Sequence, residues 1–307
     1  MKAFWAKITA WFMAIVAFFT GLFASGDSKP VDPQPEPTTT VIEQPTEPAT
    51  DPTQPLDAII FQAHRGLSSA YPENTLAAFR AAGEKGFGCI ELDPAVTKDG
   101  QVVVMHDSTA NRTCRNADGT ALADKIYISQ TTYAELCSLD AGLYMGEAFR
   151  GEKIPLLTQA LALARTYGMK VKIDNKVETF SAADREAVFS AVEGFEDTAA
   201  FTAETLDYAR TVRARFPSVP LHYDGPVSEE ILQSLAAICP KEQLTVWLPL
   251  DTPGTAWNPL PKANAETCAL VKRYASLGLW ILTLPEELET ARSFHADIIE
   301  TPGELLP

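Results

Sequence analysis

The residues best suited to chemistry in this chain are two histidines on either side of an acidic segment. His64 precedes, and His106 follows, a short apolar run that carries Glu91 and Asp93. The chain has only 4 histidines, so two of them in one compact segment are a specific signal. One histidine can take a proton from an attacking oxygen while the other donates a proton to a leaving alkoxide. Together with the carboxylates and cations described next, this pair predicts hydrolysis of a phosphodiester.

The carboxylates are better suited to holding a metal ion than to acid–base catalysis. Side chains alternate along a strand, so Glu91 and Asp93 project to one face and repel each other unless a cation lies between them. Asp174 ends the next predicted parallel strand and offers a third oxygen ligand. Such hard ligands favour one divalent metal ion, Ca²⁺ or Mg²⁺. Arg65 and Lys176 would then bind the substrate through its phosphate oxygens.

A parallel barrel would bring these residues together, because barrel sites assemble at the C-terminal ends of several strands. After Asp57, apolar β-rich runs alternate with helical stretches such as 74–85 and 157–167, as repeated β–α–β units require. Residues 108–154 show turn residues and little periodicity, and we expect an inserted lobe there over one end of the barrel. The pattern predicts an α/β fold, a distorted (β/α)8 TIM-type barrel over residues 57–307. Its strands are predicted at 58–63, 89–93, 169–173, 199–202, 220–223, 244–248, 279–283 and 297–301.

One further run, residues 102–106, follows the second predicted strand too closely for a helical crossover. We therefore expect these two runs to pair as an antiparallel hairpin. If Thr97 pairs with Val102, then Asp93 lies opposite His106.

Several short motifs follow one another along the first half of the predicted barrel: His64-Arg65-Gly66, Pro72-Glu73-Asn74-Thr75, Ile90-Glu91-Leu92-Asp93, Thr97-Lys98-Asp99-Gly100, His106-Asp107, Asn111-Arg112-Thr113 and Ile173-Asp174-Asn175-Lys176. In order and spacing they resemble the glycerophosphodiester phosphodiesterase family, and the resemblance extends over essentially all of residues 58–307. It implies a distorted (β/α)8 barrel, a divalent metal and cleavage of glycerophosphodiesters to glycerol phosphate and an alcohol. Members commonly attack with a substrate hydroxyl and form a cyclic phosphate before water completes the reaction.

The resemblance also implies a role for each site residue. By the family's pattern the acid–base pair is His64 and His106, and the metal ligands are Glu91, Asp93 and Asp174. Phosphate would be contacted by Arg65 and Lys176, with Glu73 and Asn74 in support.

The sequence departs from the family pattern at three places. Asp174 stands where the family usually has a glutamate, so we expect the metal to lie closer to that strand or to take a bridging water. The family's Trp-Thr pair appears as Leu282-Thr283, and its closing Thr-Asp appears as Glu300-Thr301. We expect these changes in the pocket wall to alter the choice of substrate.

Four other polar or aromatic residues are weaker candidates. His222 lies at a predicted strand end and could reach the pocket, although a satisfied strand-end histidine is the more usual case. Trp247 and Trp257 could line a groove for a polyol or a lipid head group, but packed aromatics are the more common role. We expect His295 on the surface.

The N-terminal part of the chain differs in composition from the barrel. Residues 1–26 are predicted to be a membrane anchor or a signal segment, because the run 8–25 is apolar and follows Lys2 and Lys7. We favour a retained anchor, which gives a single-pass protein of the cell membrane with its N-terminus inside and its catalytic domain outside. Cleavage would give a secreted protein. Residues 27–56 are rich in Pro, Thr and Glu and are predicted to be a disordered linker.

Charge and cysteine content exclude some classes of function. The net charge of −15 argues against a nucleic-acid partner, which would need clustered Lys and Arg. The five cysteines have no CxxC spacing, which argues against a structural zinc site, whereas a Cys114–Cys137 bridge is conceivable outside the cell. Two alternatives stay open: phospholipase D- or C-like action on (lyso)phospholipids, and a non-catalytic wall-associated binding module.

Overall fold

Eight parallel strands close into a barrel in the residues that the computed structural model describes, 58–250 and 260–307. The strands in chain order are β1 (Ile60–Ala63), β2 (Cys89–Leu92), β3 (Pro94–Val96), β4 (Val102–Val104), β5 (Lys170–Ile173), β6 (Ala199–Ala203), β7 (Leu221–Tyr223), β8 (Leu244–Pro249), β9 (Ser276–Trp280) and β10 (Ile298–Thr301). Around the barrel the order is β1-β2-β5-β6-β7-β8-β9-β10, and β10 pairs with β1 to close it. The remaining pair, β3 and β4, forms a separate antiparallel hairpin. The predicted TIM-type barrel is confirmed.

All but one of the described helices connect successive strands of the barrel and bury apolar residues against it; the exception, the short helix Tyr133–Leu136, buries Leu136 in the core of the inserted lobe. They are α1 (Leu76–Glu84), α2 (Tyr133–Leu136), α3 (Leu157–Thr166), α4 (Ala182–Val192), α5 (Leu206–Arg215), α6 (Glu229–Ile238), α7 (Ala265–Tyr274) and α8 (Pro285–Ser293). Helix α1 begins after Thr75, whose hydroxyl accepts a hydrogen bond from the Ala78 N–H and so satisfies a donor of the first turn. The helices predicted at 74–85 and 157–167 are correct to within two residues at each end.

The hairpin forms, but its register differs by one residue from the predicted one. Val96 pairs with Val102, so Asp93 lies opposite Met105 and His106 falls beyond the ladder. The Met105 N–H donates to the Asp93 carbonyl at 2.7 Å.

The loop of the hairpin is the cause of this shift. The Thr97 N–H donates to the Gln101 carbonyl at 2.9 Å, and the Gln101 N–H donates to the Thr97 hydroxyl at 3.0 Å. These two residues therefore close a three-residue loop, and Gly100 supplies the positive φ of 77° that such a loop needs. A one-residue change in loop closure moves every cross-strand pair by one.

A lobe with its own small core is present at residues 108–154, where the sequence predicted an insertion. Its core also includes two residues of the hairpin segment, and its buried members are Val103, Met105, Ala110, Cys114, Ile128, Leu136, Leu139, Ala141 and Ile154. Asp140 stabilises the lobe because its carboxylate accepts three backbone hydrogen bonds. The donors are the N–H groups of Gly142 at 2.9 Å, Leu143 at 2.8 Å and Gly151 at 2.6 Å. The lobe reaches the β1–α1 loop, where the Glu73 N–H donates to the Tyr144 hydroxyl at 3.0 Å. It therefore lies at the C-terminal end of the barrel.

The strand predicted at 279–283 is wrong by three residues, because β9 is Ser276–Trp280. The prediction followed the apolar run that begins at Leu279 and excluded Gly278. Gly278 belongs inside the strand because Trp247 of the neighbouring strand occupies the space of its missing side chain. A Cβ at Gly278 would lie 2.4 Å from Trp247 Cδ2.

Four other predictions concern the N-terminal segments, Trp257 and the cysteines. The membrane segment 1–26, the linker 27–56 and Trp257 lie outside the described residues. Within the described residues, no helix is long and apolar enough to cross a membrane. All five cysteines are free thiols, so the conceivable Cys114–Cys137 bridge is not formed.

Candidate active site

Three acidic side chains from two neighbouring strands meet at the C-terminal end of the barrel. Glu91 lies in β2, Asp93 directly follows that strand, and Asp174 directly follows β5. The Asp174 N–H donates to the Leu92 carbonyl at 3.1 Å, which continues the parallel ladder and brings the two strand ends together. One carboxylate oxygen from each acid lies within 4.8 Å of the others. The structure thus brings together the three predicted metal ligands.

Burial and neighbouring charges shift the pKa values of these three acids, and not all in the same direction. Burial, followed by the charges of Asp93 and Glu300, raises the pKa of Glu91 well above its usual range. Burial also raises the pKa of Asp174, and Asp93 adds to the shift. For Asp93 burial is opposed and outweighed by Lys176 and Arg65, which lower its pKa to about 2. Three crowded, buried carboxylates of this kind offer hard oxygen donors and excess negative charge, which fits a Mg²⁺ or Ca²⁺ ion.

Asp93 is the acid that receives the most direct contacts. Lys176 Nζ lies 2.8 Å from its Oδ1 and Arg65 Nε lies 3.2 Å from its Oδ2. Asn74 Nδ2 donates to the same Oδ2 at 2.8 Å. The two predicted phosphate-binding cations and one predicted supporting residue therefore all lie against one carboxylate. Their contacts fix its orientation.

His64 lies at the end of β1 and faces two carboxylates. Its Nε2 is 3.9 Å from Glu91 Oε2 and 3.9 Å from Glu300 Oε1. Burial lowers the pKa of His64, although Glu300 opposes the shift. The adjacent Arg65 N–H donates to Glu91 Oε2 at 3.0 Å, so the backbone at this strand end also contacts the acidic cluster.

His106 lies at the edge of the same cluster and is held by a carboxylate. Its Nδ1 is 2.6 Å from Asp107 Oδ1. Lys176 Nζ, which contacts Asp93, also donates to the His106 carbonyl at 3.0 Å. A carboxylate on Nδ1 fixes the tautomer in which Nδ1 carries the proton, and Nε2 is then the nitrogen that exchanges protons. The side chain of His106 is 41% exposed, so Nε2 is accessible to a substrate.

A chain of ion pairs joins the two histidine regions. Arg112 of the lobe contacts Asp107 through Nε at 2.7 Å and Glu73 through a guanidinium nitrogen at 2.7 Å. Glu73 in turn lies 3.0 Å from Arg65. Glu73, which was predicted to support the site, links the lobe to the barrel through these ion pairs.

Comparison with known proteins gives the family. A model of the glycerophosphoryl diester phosphodiesterase family matches residues 64–241. The chain belongs to this family. A glycerophosphodiester phosphodiesterase of Caldanaerobacter subterraneus subsp. tengcongensis is 44% identical over 114 residues, which are 37% of this chain and 44% of the relative. The glycerophosphodiester phosphodiesterase 1 of Bos taurus is 37% identical over 133 residues, 43% of this chain and 38% of the relative. The chain thus matches less than half the length of these relatives.

Solved structures share the barrel fold. A phosphodiesterase of Oleispira antarctica, solved in complex with the product sn-glycerol-3-phosphate, superposes with a TM-score of 0.63 at 21% identity and covers 80% of this chain and 93% of that chain. A glycerophosphodiester phosphodiesterase of Thermotoga maritima gives a TM-score of 0.55 at 23% identity and covers 80% and 95%. At sequence identities below 25%, this structural similarity shows that the chain shares the barrel fold of these proteins.

Sequence reasoning missed a buried ion pair beneath the site of this glycerophosphoryl diester phosphodiesterase family member. Lys172 Nζ lies 3.0 Å from Glu300 Oε2, although the two residues come from β5 and β10, which are not neighbours. Gln62 Nε2 also donates to Glu300 Oε2. Burial would lower the pKa of Lys172, but Glu300 outweighs it and raises the value. Lys172 and Glu300 both lie within predicted barrel strands, where a buried charge requires a partner, but no local pattern identifies which residue that partner is.

The weaker candidates His222 and Trp247 contact each other and do not belong to the acidic cluster. Trp247 Nε1 donates to His222 Nδ1 at 3.0 Å, and both side chains are buried. Burial lowers the pKa of His222 to about 3, so it is a satisfied neutral histidine within the barrel. His295 is half-buried just after α8, where a surface position was predicted.

Proposed function

We propose that this chain hydrolyses glycerophosphodiesters to glycerol phosphate and an alcohol. The observation that carries the proposal is the arrangement of His64 and His106 around the acidic cluster formed by Glu91, Asp93 and Asp174. A non-catalytic binding module has no need of a proton-transfer pair. The family match and the relatives named as glycerophosphodiester phosphodiesterases support the same activity.

We propose two steps, of which the second adds water to a cyclic phosphate and gives glycerol phosphate. In the first step a hydroxyl of the glycerol half attacks phosphorus, a new P–O bond forms to that oxygen, and the P–O bond to the alcohol breaks. One histidine removes the proton from that hydroxyl, and the other supplies a proton to the alkoxide that leaves. Arg65 and Lys176 bind the non-bridging phosphate oxygens and orient the diester. The proposed metal ion would be held by Glu91, Asp93 and Asp174, and when bound it would neutralise charge that develops on the phosphoryl oxygens.

The sn-glycerol-3-phosphate in the Oleispira antarctica structure supports glycerol phosphate as the product side of the reaction. It was seen in a protein that shares this barrel, and we propose the same half-product for this chain.

The experiment uses the full chain, purified in mild detergent because of its apolar N-terminal run. Release of glycerol phosphate from a panel of glycerophosphodiesters is followed before EDTA treatment, after it, and after Mg²⁺ or Ca²⁺ is added back. We expect activity that EDTA abolishes and one of the two ions restores. Activity that EDTA leaves unchanged would remove the metal from the proposal, and no release from any diester would remove the activity itself.

We also propose that the barrel acts outside the cytoplasm, tethered by residues 1–26. The apolar run after Lys2 and Lys7 supports this, together with the Pro-rich spacing segment. Protease added to intact cells should remove the barrel domain while cytoplasmic markers survive. Full protection of the barrel until the cells are lysed would contradict the proposed location.

A further inference from the structure

A carboxylate that the proposed chemistry does not use faces His64 from the last strand of the barrel. Glu300 lies in β10, and its Oε1 is 3.9 Å from His64 Nε2. The Glu300 side chain is buried. It stands at one of the places where the chain departs from the family pattern, so the resemblance assigns it no role.

The register of the barrel places Glu300 beside His64. In the parallel pairing of β1 with β10, Gln62 is the partner of Glu300. The His64 N–H continues this ladder by donating to the Thr301 carbonyl at 2.9 Å. Side chains two residues apart on a strand project to the same face. His64 therefore follows Gln62 on the face of β1 that carries the contact with Glu300.

Buried polar contacts fix the orientation of the Glu300 side chain. Lys172 Nζ donates to its Oε2 at 3.0 Å, and Gln62 Nε2 donates to the same oxygen. The Cys89 thiol orients the Gln62 amide in turn, since it donates to Oε1 of that amide at 3.0 Å. Because both donors to Glu300 hold Oε2, its other oxygen, Oε1, is turned toward His64.

Two carboxylates in the described part of the chain face His64, and they differ in what else they do. Glu91 Oε2 also lies 3.9 Å from His64 Nε2, but this oxygen accepts the Arg65 N–H at 3.0 Å. Glu91 is also one of the three proposed metal ligands, so a bound divalent ion would take up its charge. Glu300 has no such task in the proposed mechanism and is left as the partner of His64.

The proposed chemistry gives a carboxylate at this place a use. His64 carries a transferred proton during part of the cycle, whether it acts as the base or as the acid. A nearby negative charge stabilises the ring while it carries that proton and favours the ring orientation that keeps Nε2 toward the site. His106 has a comparable partner in Asp107, at 2.6 Å from its Nδ1.

We propose that Glu300 is a positioning residue for His64: held by Lys172 and Gln62, it orients the imidazole ring and stabilises the proton that the ring carries. The proposal rests on the proposed function. Because Glu300 acts through His64 and not on the substrate, its loss should lower kcat and leave KM unchanged.

The test measures steady-state release of glycerol phosphate by the full-length protein at saturating metal. Glu300→Gln keeps the shape of the side chain and removes its charge. The double variant Lys172→Met/Glu300→Gln also removes the ammonium group, so that no buried charge is left unpaired, and methionine keeps the contact with the Trp247 ring. Asp297→Asn is the matched control, since it removes the carboxylate of another ion pair, with Lys272 at 2.9 Å, directly before β10 and at its opposite end.

Glu300→Gln should lower kcat at least about 10-fold, or about 1.4 kcal/mol, and leave KM within about 2-fold. The double variant should stay at least about 5-fold below the wild type in kcat, because the carboxylate that faces His64 is still missing. Asp297→Asn should keep kcat within about 2-fold. In a His64→Asn background, adding Glu300→Gln should change the remaining rate by less than about 2-fold, since the side chain through which Glu300 acts is already gone.

Several results would overturn the role of Glu300 and leave the proposed function standing. One is a kcat within about 2-fold of the wild type, read from Glu300→Gln or, if that variant does not fold, from the double variant. Recovery of wild-type kcat by the double variant would assign the loss to the unpaired Lys172. A loss in KM alone, an equal loss in Asp297→Asn, or an equal further loss in the His64→Asn background would also contradict an action through His64.

Two further outcomes separate this role from others. Calorimetry that shows Mg²⁺ or Ca²⁺ bound at least about 10-fold more weakly by the double variant than by the wild type would make Glu300 a metal ligand and overturn the positioning role. Failure of the wild type to release glycerol phosphate from any diester overturns the proposed function, and the role of Glu300 with it.

Discussion

Replacing Asp107 by asparagine tests how His106 is held. In the structure Asp107 Oδ1 lies 2.6 Å from His106 Nδ1, and Arg112 holds the other carboxylate oxygen at 2.7 Å. Asparagine keeps the size of the side chain but removes its charge. It can also turn its NH₂ toward Nδ1, which would place the histidine proton on the wrong nitrogen.

The size of the effect follows from this hydrogen bond and its exposure. A hydrogen bond to a charged group contributes about 1.5–3 kcal/mol. The side chains of His106 and Asp107 are 41% and 28% exposed, so we take the lower part of that range, about 1.5–2 kcal/mol. At 1.36 kcal/mol per factor of ten, kcat should fall about 10–30-fold.

The assay is steady-state release of glycerol phosphate by the full-length variant. KM should stay within about 2-fold, because Asp107 acts through His106 and not on the substrate. Asp118→Asn is the control, since Asp118 is an exposed lobe aspartate whose side chain accepts hydrogen bonds from Thr120. An Asp107→Asn variant with unchanged kcat, or with a loss in KM alone, would refute the positioning of His106 by this carboxylate.

Three further predictions concern the metal site, the lobe and the barrel. Asp174→Asn should weaken binding of Mg²⁺ or Ca²⁺ at least about 10-fold by calorimetry, because one of three clustered carboxylates is lost; unchanged binding would place the ion elsewhere. Asp140→Asn should lower the free energy of unfolding by about 2 kcal/mol at pH 7. Burial would raise the pKa of Asp140, but three backbone N–H donors outweigh it and lower the pKa. The carboxylate of Asp140 therefore adds to the free energy of unfolding above the unfolded-state pKa of about 3.9, and this contribution is lost as pH falls below that value. The gap between wild type and variant in denaturant titrations should therefore close below about pH 4, and a gap independent of pH would contradict this origin. Gly278→Ala should lower the free energy of unfolding by about 1–3 kcal/mol, because the added methyl group overpacks against Trp247. A thermal midpoint equal to that of the wild type would contradict this, since it would show that the strand shifts to make room for the methyl group.

The positions of the strand-end residues could be predicted from the sequence, because they depend only on the order and direction of the strands. Parallel strands present their C-terminal ends at one edge, so His64, Asp93 and Asp174 had to lie together once the strands were recognised. The alternation of side chains along β2 then placed Glu91 on the same face as Asp93. These inferences need no knowledge of loops or packing.

The parts that sequence reasoning missed depend on contacts across the fold. The hairpin register depended on whether Thr97 pairs with Val102 or with Gln101, and only the turn geometry at Gly100 decides this. The Lys172–Glu300 pair joins strands that are far apart in the chain, and no local pattern connects them. The position of β9 depended on Trp247, which fills the space above Gly278.

The lobe shows a further limit of local patterns. Its little periodicity was read correctly as an insertion, but the role of Arg112 in joining Asp107 to Glu73 appears only when lobe and barrel are seen together.

The most direct test of the central claim is the turnover of a glycerophosphodiester by single asparagine variants of His64 and of His106. Each should lower kcat by about 100-fold or more, since asparagine cannot transfer a proton and general acid–base catalysis typically contributes a factor of this size. His295→Asn is the matched control, because His295 lies away from the site and asparagine tolerates its positive φ of 53°. Retention of wild-type kcat by either of the first two variants, in folded protein, would contradict the two-histidine account.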